Sequence, residues 1–117
     1  MGKLSTHVLD TAHGKPAQGL KIELFELIGN FRQLVKAATT NQDGRTDSLL
    51  LSPEVMRVGT FELVFYVGDY FEHLSVTLPA PKFLDVVPVR FGIFDKAQNY
   101  HVPLLVSPYS YSTYRGS

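Results

Sequence analysis

The chain has 117 residues, 11 basic and 11 acidic side chains, and no cysteine. This length suits a single hydrophobic core, so we predict one domain over residues 1–117. A formal net charge of zero argues against nucleic acid or an anionic membrane as the partner. The lack of cysteine excludes disulfides, thiol catalysis and cysteine-ligated zinc.

The N-terminus lacks the apolar segment of a signal peptide, and no apolar run approaches the roughly 20 residues of a membrane span. We therefore expect a cytoplasmic protein that does not bind a membrane. A periplasmic or peroxisomal location is the alternative if a targeting segment has been removed from the chain.

Short runs of β-branched and aromatic residues, separated by Gly, Pro, Asn and Asp, predict an antiparallel all-β domain. For the first half we predict a strand at residues 4–10, a turn at 13–16 and a strand that buries Leu20, Ile22 and Leu24. A tight turn at 29–30, a strand at 31–40 and a turn at 41–44 are predicted to follow.

The second half contains a central strand at residues 58–67 that buries Phe61, Leu63, Phe65 and Val67, a short helix, a loop at 79–81, a strand that buries Val87, Val89, Phe91 and Ile93, a turn at 95–99, and strands at 100–106 and about 109–115. Asp69 as an N-cap and Glu72 three residues later predict the helix at residues 70–74, the only helix that we expect. Seven or eight short strands with one helix predict a β-sandwich with Greek-key connections.

Two histidines stand on strand faces that point away from the predicted core. Alternation puts His7 on the outer face of its strand with Leu9, and His101 on the outer face of its strand with Leu105. Leucines on both outer faces indicate a sheet covered on both sides, and the cover that we expect is a second copy of the chain. Because imidazole is a natural general base near neutral pH, the two histidines lead the catalytic candidates. The alternative is that each is an ordinary solvated histidine.

Arg45 follows the turn at residues 41–44, at the mouth of a hairpin, where functional sites are often placed. The alternative is a surface arginine paired with Asp47. His13 and His73 lie in a turn and near the end of the predicted helix, and we expect no role for either.

The chain ends in Tyr114, Arg115, Gly116 and Ser117, after alternating tyrosines and serines. A terminal serine brings a hydroxyl and a carboxylate to one place, two residues from a permanent cation. We therefore predict that this tail is built into a site, with an ordinary edge strand rich in Tyr and Ser as the alternative.

Other catalytic motifs are missing from the sequence. It has no nucleophile elbow, no glycine-rich phosphate loop and no zinc-binding helix motif. Two histidines could share a zinc ion, but no third ligand is evident. We therefore expect water to be activated without a metal.

Three segments carry a family signal: LSTHVLDTAHGKPA at residues 4–17, DGRTD at 43–47, and HVPLLVSPY at 101–109 followed by YRGS at 114–117. Together they resemble the 5-hydroxyisourate hydrolases, the transthyretin-like enzymes of urate breakdown, and the likeness covers essentially the whole chain. The terminal YRGS is its most specific part, because it separates the hydrolases from transthyretin itself.

The resemblance implies a β-sandwich of two four-stranded sheets with one short helix. It also implies a homotetramer, a dimer of dimers, with active sites between the dimers and no cofactor. The implied substrate is the small molecule 5-hydroxyisourate, whose six-membered ring is opened at a C–N amide bond to give 2-oxo-4-hydroxy-4-carboxy-5-ureidoimidazoline.

Carried over to this sequence, the resemblance implies four catalytic residues: His7, Arg45, His101 and Ser117. The implied substrate-binding residues are His7, Arg45, Tyr114, Arg115 and Gly116. We favour His7 as the general base and Arg45 as the cation that stabilises negative charge. His101 would orient the water or protonate the leaving nitrogen, while Arg115 and Ser117 would fix the tail.

Two other functions are weighed against the enzyme. A transthyretin-like carrier of small aromatic ligands needs an open, apolar channel, which polar groups at His7, His101 and residues 114–117 would fill. An immunoglobulin-like adhesion or structural module would be a monomer and would tolerate the loss of residues 114–117. The fold alone does not choose among these.

Overall fold

The computed structural model describes all residues, 1–117, as two layers of β-sheet. Its elements follow in chain order: β1 (Leu4–Ser5), β2 (Val8–Asp10), β3 (Lys15–Pro16), β4 (Lys21–Ile28), β5 (Phe31–Thr39), a 3-10 turn (Pro53–Val55), β6 (Gly59–Tyr66), α1 (Val67–His73), β7 (Val86–Ile93), β8 (Tyr100–His101), β9 (Leu104–Val106) and β10 (Tyr111–Thr113). The predicted all-β sandwich is confirmed. Neither helical segment is long and apolar enough to cross a membrane.

The middle of the chain forms one layer. Its four strands are antiparallel in the spatial order β5–β4–β6–β7. Side chains predicted to face inward from this layer are fully buried: Ile22, Leu24, Phe61, Leu63 and Phe65. Their removal from water is the main force that holds the two layers together.

The two ends of the chain form the other layer, in the order β10–β9–β2–β3, with β1 and β8 as a further pair. β1 is parallel to β8, and β2 is parallel to β9. Parallel neighbours need a long crossover, and the whole first layer lies between them in sequence. The predicted strands at residues 4–10 and 100–106 therefore lie side by side, although the structure divides each of them into two short strands, β1 and β2, and β8 and β9.

The helix prediction was wrong in its bounds. α1 begins at Val67, directly after β6, and its N-cap is Tyr66, which makes no side-chain capping bond. Gly68 explains the early start: its N–H donates to the Asp85 carbonyl oxygen over 2.8 Å, and a Cβ there would collide with Asp85. Packing against the chain before β7, rather than an Asp69 cap, thus sets the beginning of the helix. The 3-10 turn was not predicted at all.

A buried carboxylate ties the helix to β2. Asp10 is 1% exposed, and its Oδ1 accepts the backbone N–H groups of Ala12 and His13, each over 3.0 Å. Its Oδ2 accepts the Tyr70 hydroxyl over 2.8 Å and lies 2.6 Å from Nδ1 of His13. Burial and the Asp10 carboxylate raise the pKa of Tyr70 well above its ordinary value. This contact gives His13 a structural partner on the opposite side of the strand from His7.

Candidate active site

β1 and β8 bring the two candidate histidines to one outer face. The parallel register places Ser5 beside His101, and the Leu104 N–H donates to the His7 carbonyl oxygen over 2.9 Å two residues further along. Both imidazoles are half-buried. Leu4, Thr6 and Val8, which alternate with Ser5 and His7 along the chain, are buried in the core. The strand alternation that predicted these outward side chains is therefore observed.

Gly44 positions the loop that carries Arg45. Its carbonyl oxygen accepts the Val8 N–H over 2.8 Å, so this loop lies along the edge of β2, next to His7. Gly44 has φ +75°, and a Cβ there would collide with the Val8 carbonyl oxygen. Both the left-handed backbone and the close approach require glycine. Gly44 thus decides where Arg45 lies.

Asn41 closes the same loop from within. Its Oδ1 accepts the N–H groups of Asp43 over 2.9 Å and Arg45 over 3.2 Å. Its Nδ2 donates to Oδ1 of Asp47 over 3.0 Å. The alternative in which Asp47 pairs with Arg45 does not hold, because Asp47 is bonded to Asn41 and no carboxylate lies within 4.0 Å of the Arg45 guanidinium. The cation of Arg45 is free of any intramolecular ion pair.

Arg45 and burial act together on the two imidazoles. Burial, followed by the positive charge of Arg45, lowers the pKa of His7 below its ordinary value, with Asp43 acting in the opposite direction. Burial, then Arg45, then His7 lower the pKa of His101. Three groups that are far apart in sequence therefore share one electrostatic environment. Both imidazoles are neutral at pH 7, the form that can accept a proton.

Ser5 is a site residue that the sequence reasoning missed. Its Oγ lies 2.8 Å from Nδ1 of His101, on the neighbouring strand. The signal was present, because Ser5 shares the outer face of its strand with His7. What the sequence did not contain was the parallel register that puts this serine opposite His101.

The C-terminal segment folds back on His101. The Gly116 N–H donates to the His101 carbonyl oxygen over 2.7 Å, and the His101 N–H donates to the Gly116 carbonyl oxygen over 3.2 Å. The Arg115 guanidinium donates to Oε1 of Gln98 and to the carbonyl oxygen of Asn99, and lies 4.5 Å from the centre of the Tyr100 ring. This geometry suits an anchor for the tail, and a substrate contact by Arg115 stays a prediction.

Tyr114 and Ser117 are exposed residues of the tail that, unlike Arg115, make no side-chain hydrogen bond within the chain. Tyr114 is 61% exposed, and Ser117 makes no hydrogen bond within the chain. Tyr114 borders a groove of about 240 Å³ that is also lined by Val89, Phe91 and Tyr100. The catalytic role of Ser117 and the substrate contact of Tyr114 stay predictions.

An open pocket of about 300 Å³ lies where β1 meets the Arg45 loop, and Ser5, Arg45, Thr46 and Asp47 are among its lining residues. No three histidine, aspartate or glutamate side chains are grouped so that they could hold a metal ion. The groups on offer are two neutral imidazoles, an unpaired guanidinium and a serine hydroxyl. They can accept a proton, donate a proton and stabilise an anion.

The model of the HIUase/Transthyretin family matches residues 4–116. The chain belongs to this family. The 5-hydroxyisourate hydrolase 2 of Rhizobium meliloti is 58% identical over 116 residues, which are 99% of this chain and 97% of that protein. Among solved structures, the 5-hydroxyisourate hydrolase of Klebsiella pneumoniae aligns with a TM-score of 0.82 at 29% identity, over 100% of both chains.

Transthyretin has the same fold at lower sequence identity. Sea bream transthyretin, solved in complex with thyroxine, aligns with a TM-score of 0.86 over 97% of this chain and 94% of its own. Its sequence is only 22% identical, so this likeness speaks for the fold alone.

Proposed function

We propose that this protein hydrolyses 5-hydroxyisourate in urate breakdown, opening its six-membered ring to 2-oxo-4-hydroxy-4-carboxy-5-ureidoimidazoline. The observation that carries the proposal is the grouping of His7, His101 and Arg45 on one open face, in a chain of the HIUase/Transthyretin family. The named relatives support the substrate.

The reaction begins with attack of water on the ring carbonyl carbon. Water has a pKa of about 16, so the attack at neutral pH benefits from an imidazole that takes the proton as the C–O bond forms. His7 is this base in our proposal. Its lowered pKa keeps the ring neutral and ready at pH 7.

Arg45 stabilises the negative charge that the attack places on the carbonyl oxygen. A cation without an intramolecular ion pair needs no rearrangement to do so. His101 then gives a proton to the ring nitrogen as the C–N bond breaks, and the imidazolium of His7 returns a proton to His101, so both imidazoles are neutral again. One water is consumed, and an N–H and a carboxylic acid that loses its proton to solvent are formed. The overall reaction needs no oxidant, metal or cofactor.

The tail completes the substrate site. Tyr114 packs on or hydrogen-bonds to the flat heterocycle, and Gly116 lets the main chain come close to it. Arg115 holds the tail through its bonds to Gln98 and Asn99 and its contact with Tyr100. Ser117 supplies a hydroxyl that can pass a proton to or from the water.

We further propose a homotetramer built as a dimer of dimers, with the active sites between dimers. Leu9 and Leu105 are only half-buried in the single chain, on the same face as the histidines. Large aromatic side chains are also exposed near this end of the molecule: Phe94, Tyr109, Tyr111 and Tyr114. Apolar groups of this number are more typical of an interface than of a monomer surface. We place the enzyme in the cytoplasm.

A transthyretin-like carrier of small aromatic ligands is the competing function. A carrier channel gains affinity from apolar walls, whereas two imidazoles and a free guanidinium on this face favour chemistry over storage. The enzyme is tested by the rates of His7→Asn and His101→Asn variants with 5-hydroxyisourate. We expect each kcat to fall by about 10²–10⁴-fold, the usual contribution of general acid–base catalysis. If both variants turned over at the parent rate, the mechanism with two histidines would be refuted.

A further inference from the structure

The hydrogen bond between Ser5 and His101 also bears on which nitrogen of the imidazole carries the proton. A neutral imidazole has one N–H group and one nitrogen with a free lone pair, and a serine hydroxyl has one hydrogen and two lone pairs. The 2.8 Å contact between Oγ and Nδ1 is therefore made in one of two ways. Either Ser5 donates to Nδ1, or Nδ1–H donates to Ser5.

The surroundings of Ser5 favour the first arrangement. His101 is the only side-chain or main-chain partner of the Ser5 hydroxyl within the chain, and the residue is half-buried. If Nδ1–H donated, the serine hydrogen would have no acceptor in the protein, and such groups are seldom left unpaired. If Ser5 donates, its hydrogen is used and only lone pairs stay free. The imidazole then carries its own hydrogen on Nε2.

The tail keeps the imidazole of His101 from flipping. The N–H and carbonyl groups of Gly116 are hydrogen-bonded to those of His101, and a Cβ at Gly116 would lie only 3.1 Å from Cβ and Cδ2 of the histidine. The Cδ2 edge of the imidazole is therefore packed against main chain, while its Nδ1 edge faces Ser5. A flip of the ring would bring Nδ1 against the tail and break the serine bond.

His7 has a different environment. No side-chain hydroxyl is bonded to its ring as Ser5 is to His101, and Asp43 raises its pKa against the effects of burial and Arg45. A neutral His7 therefore has one nitrogen with a free lone pair, which can accept a proton.

We propose that Ser5 is a positioning residue that fixes His101 as the tautomer protonated on Nε2, which makes His101 the proton donor of the site and leaves His7 as the base. The tautomer rests on the structure alone, and the assignment of acid and base rests on the proposed hydrolysis. The sequence left open whether His101 orients water or protonates the leaving nitrogen. The hydrogen bond from Ser5 favours protonation of the leaving nitrogen.

Removing the hydroxyl tests the direction of the bond by the sign of one pKa change. A donor on the Nδ1 lone pair stabilises the neutral imidazole and so lowers its pKa, whereas an acceptor for Nδ1–H stabilises the charged imidazole and raises it. In Ser5→Ala we therefore expect the pKa of His101 to rise. The charges that face the ring, Arg45 and His7, are unchanged in this variant.

The measurement is a pH titration of the imidazole nitrogens by ¹H–¹⁵N correlation spectroscopy, on the whole protein and on Ser5→Ala. His101→Asn identifies the signal. We expect Nε2–H in the parent, and a mixture of tautomers with a raised pKa in Ser5→Ala. A parent His101 protonated on Nδ1, or a pKa that falls in Ser5→Ala, would overturn the proposal.

Kinetics then separate positioning from folding. We expect kcat of Ser5→Ala to fall roughly 10-fold with little change in KM, the factor for one ordinary hydrogen bond. Ser5→Thr, which keeps the hydroxyl, should recover most of the rate and the parent tautomer. Ser75→Ala, an exposed serine after α1 with no side-chain bond, is the matched control. Unchanged kcat in Ser5→Ala despite a changed tautomer would refute the donor role of His101.

Failure of the proposed function has a different signature. A parent protein with Nε2–H on His101 but without any effect on 5-hydroxyisourate would refute the hydrolase and uphold the serine's control of the tautomer. A protein that hydrolyses 5-hydroxyisourate but carries the proton of His101 on Nδ1 would uphold the hydrolase and refute the role of Ser5.

Discussion

A methyl group at Gly116 should damage catalysis far more than folding. In the structure, a Cβ at this position would lie 3.1 Å from Cβ and Cδ2 of His101 and 3.4 Å from its Cγ. Carbon atoms pack best at about 3.5–4.0 Å, so in Gly116→Ala the ring and the tail must separate by roughly 0.4 Å or more. The two backbone bonds between Gly116 and His101 resist this separation. Turning the imidazole relieves the contact at Cδ2, and a shift of the tail relieves the contact at Cβ, so the ring loses its present position in either case.

The expected loss follows from the size of this shift. A misplacement of about 1 Å costs about 10²-fold in rate, so we expect kcat of Gly116→Ala to fall by roughly 10-fold. The global stability should change by less than about 1 kcal/mol, because only the end of the chain is disturbed. The assay is the decay of 5-hydroxyisourate, combined with thermal unfolding of the same preparation.

Gly59→Ala is the control for this experiment. A Cβ at Gly59 meets no atom closer than 3.4 Å, and the residue begins β6 in the other sheet. We expect the parent kcat in this variant. If Gly116→Ala kept the full parent rate, or lost activity only in proportion to unfolding, the argument that the tail holds His101 in place would be refuted.

Four further outcomes are expected. In Arg45→Met, the pKa values of His7 and His101 should rise, as measured by NMR titration, and kcat should fall by about 10²–10³-fold. Unchanged pKa values would contradict the claim that the charge of Arg45 acts on both imidazoles. Since the pKa values of His7 and His101 in the folded protein lie below the ordinary 6.5, kcat/KM should stay constant as the pH is lowered to 6.5 and should decline only at lower pH. Across the same range the unfolded chain binds protons first, so stability should decrease as the pH falls, and an increase would contradict the lowered values. Tyr70→Phe removes one partner of the buried Asp10 carboxylate and should cost about 1–3 kcal/mol in urea unfolding, and a change near zero would show that this bond is not needed.

Strand alternation was sufficient to place the histidines, because it needs only the sequence of one strand. His7 and His101 point away from the core as their neighbours predicted, and the polar-apolar pattern gave the inward sets of β4 and β6. The grouping of Arg45 with them depended on the resemblance to a family. From residues alone, a partner in Asp47 was equally reasonable, and only the loop geometry around Asn41 excluded it.

Features that depend on register or on distant contacts could not be read in this way. Ser5 meets His101 because β1 and β8 pair in parallel across 96 residues of sequence, and no local pattern encodes that register. The start of α1 depends on the close approach of Gly68 to Asp85, which overrides the capping preference of Asp69. Arg115 turns toward Gln98 and Asn99 because the tail curls over Tyr100.

The most direct test of the central claim is the ultraviolet absorbance of 5-hydroxyisourate made in place from urate by urate oxidase, followed after addition of catalytic amounts of this protein. The spontaneous decay of the compound provides the baseline. We expect a faster decay with the parent protein, and the spontaneous rate when residues 114–117 are deleted. An unchanged decay in the presence of folded parent protein would contradict the hydrolase and favour a carrier of small aromatic ligands.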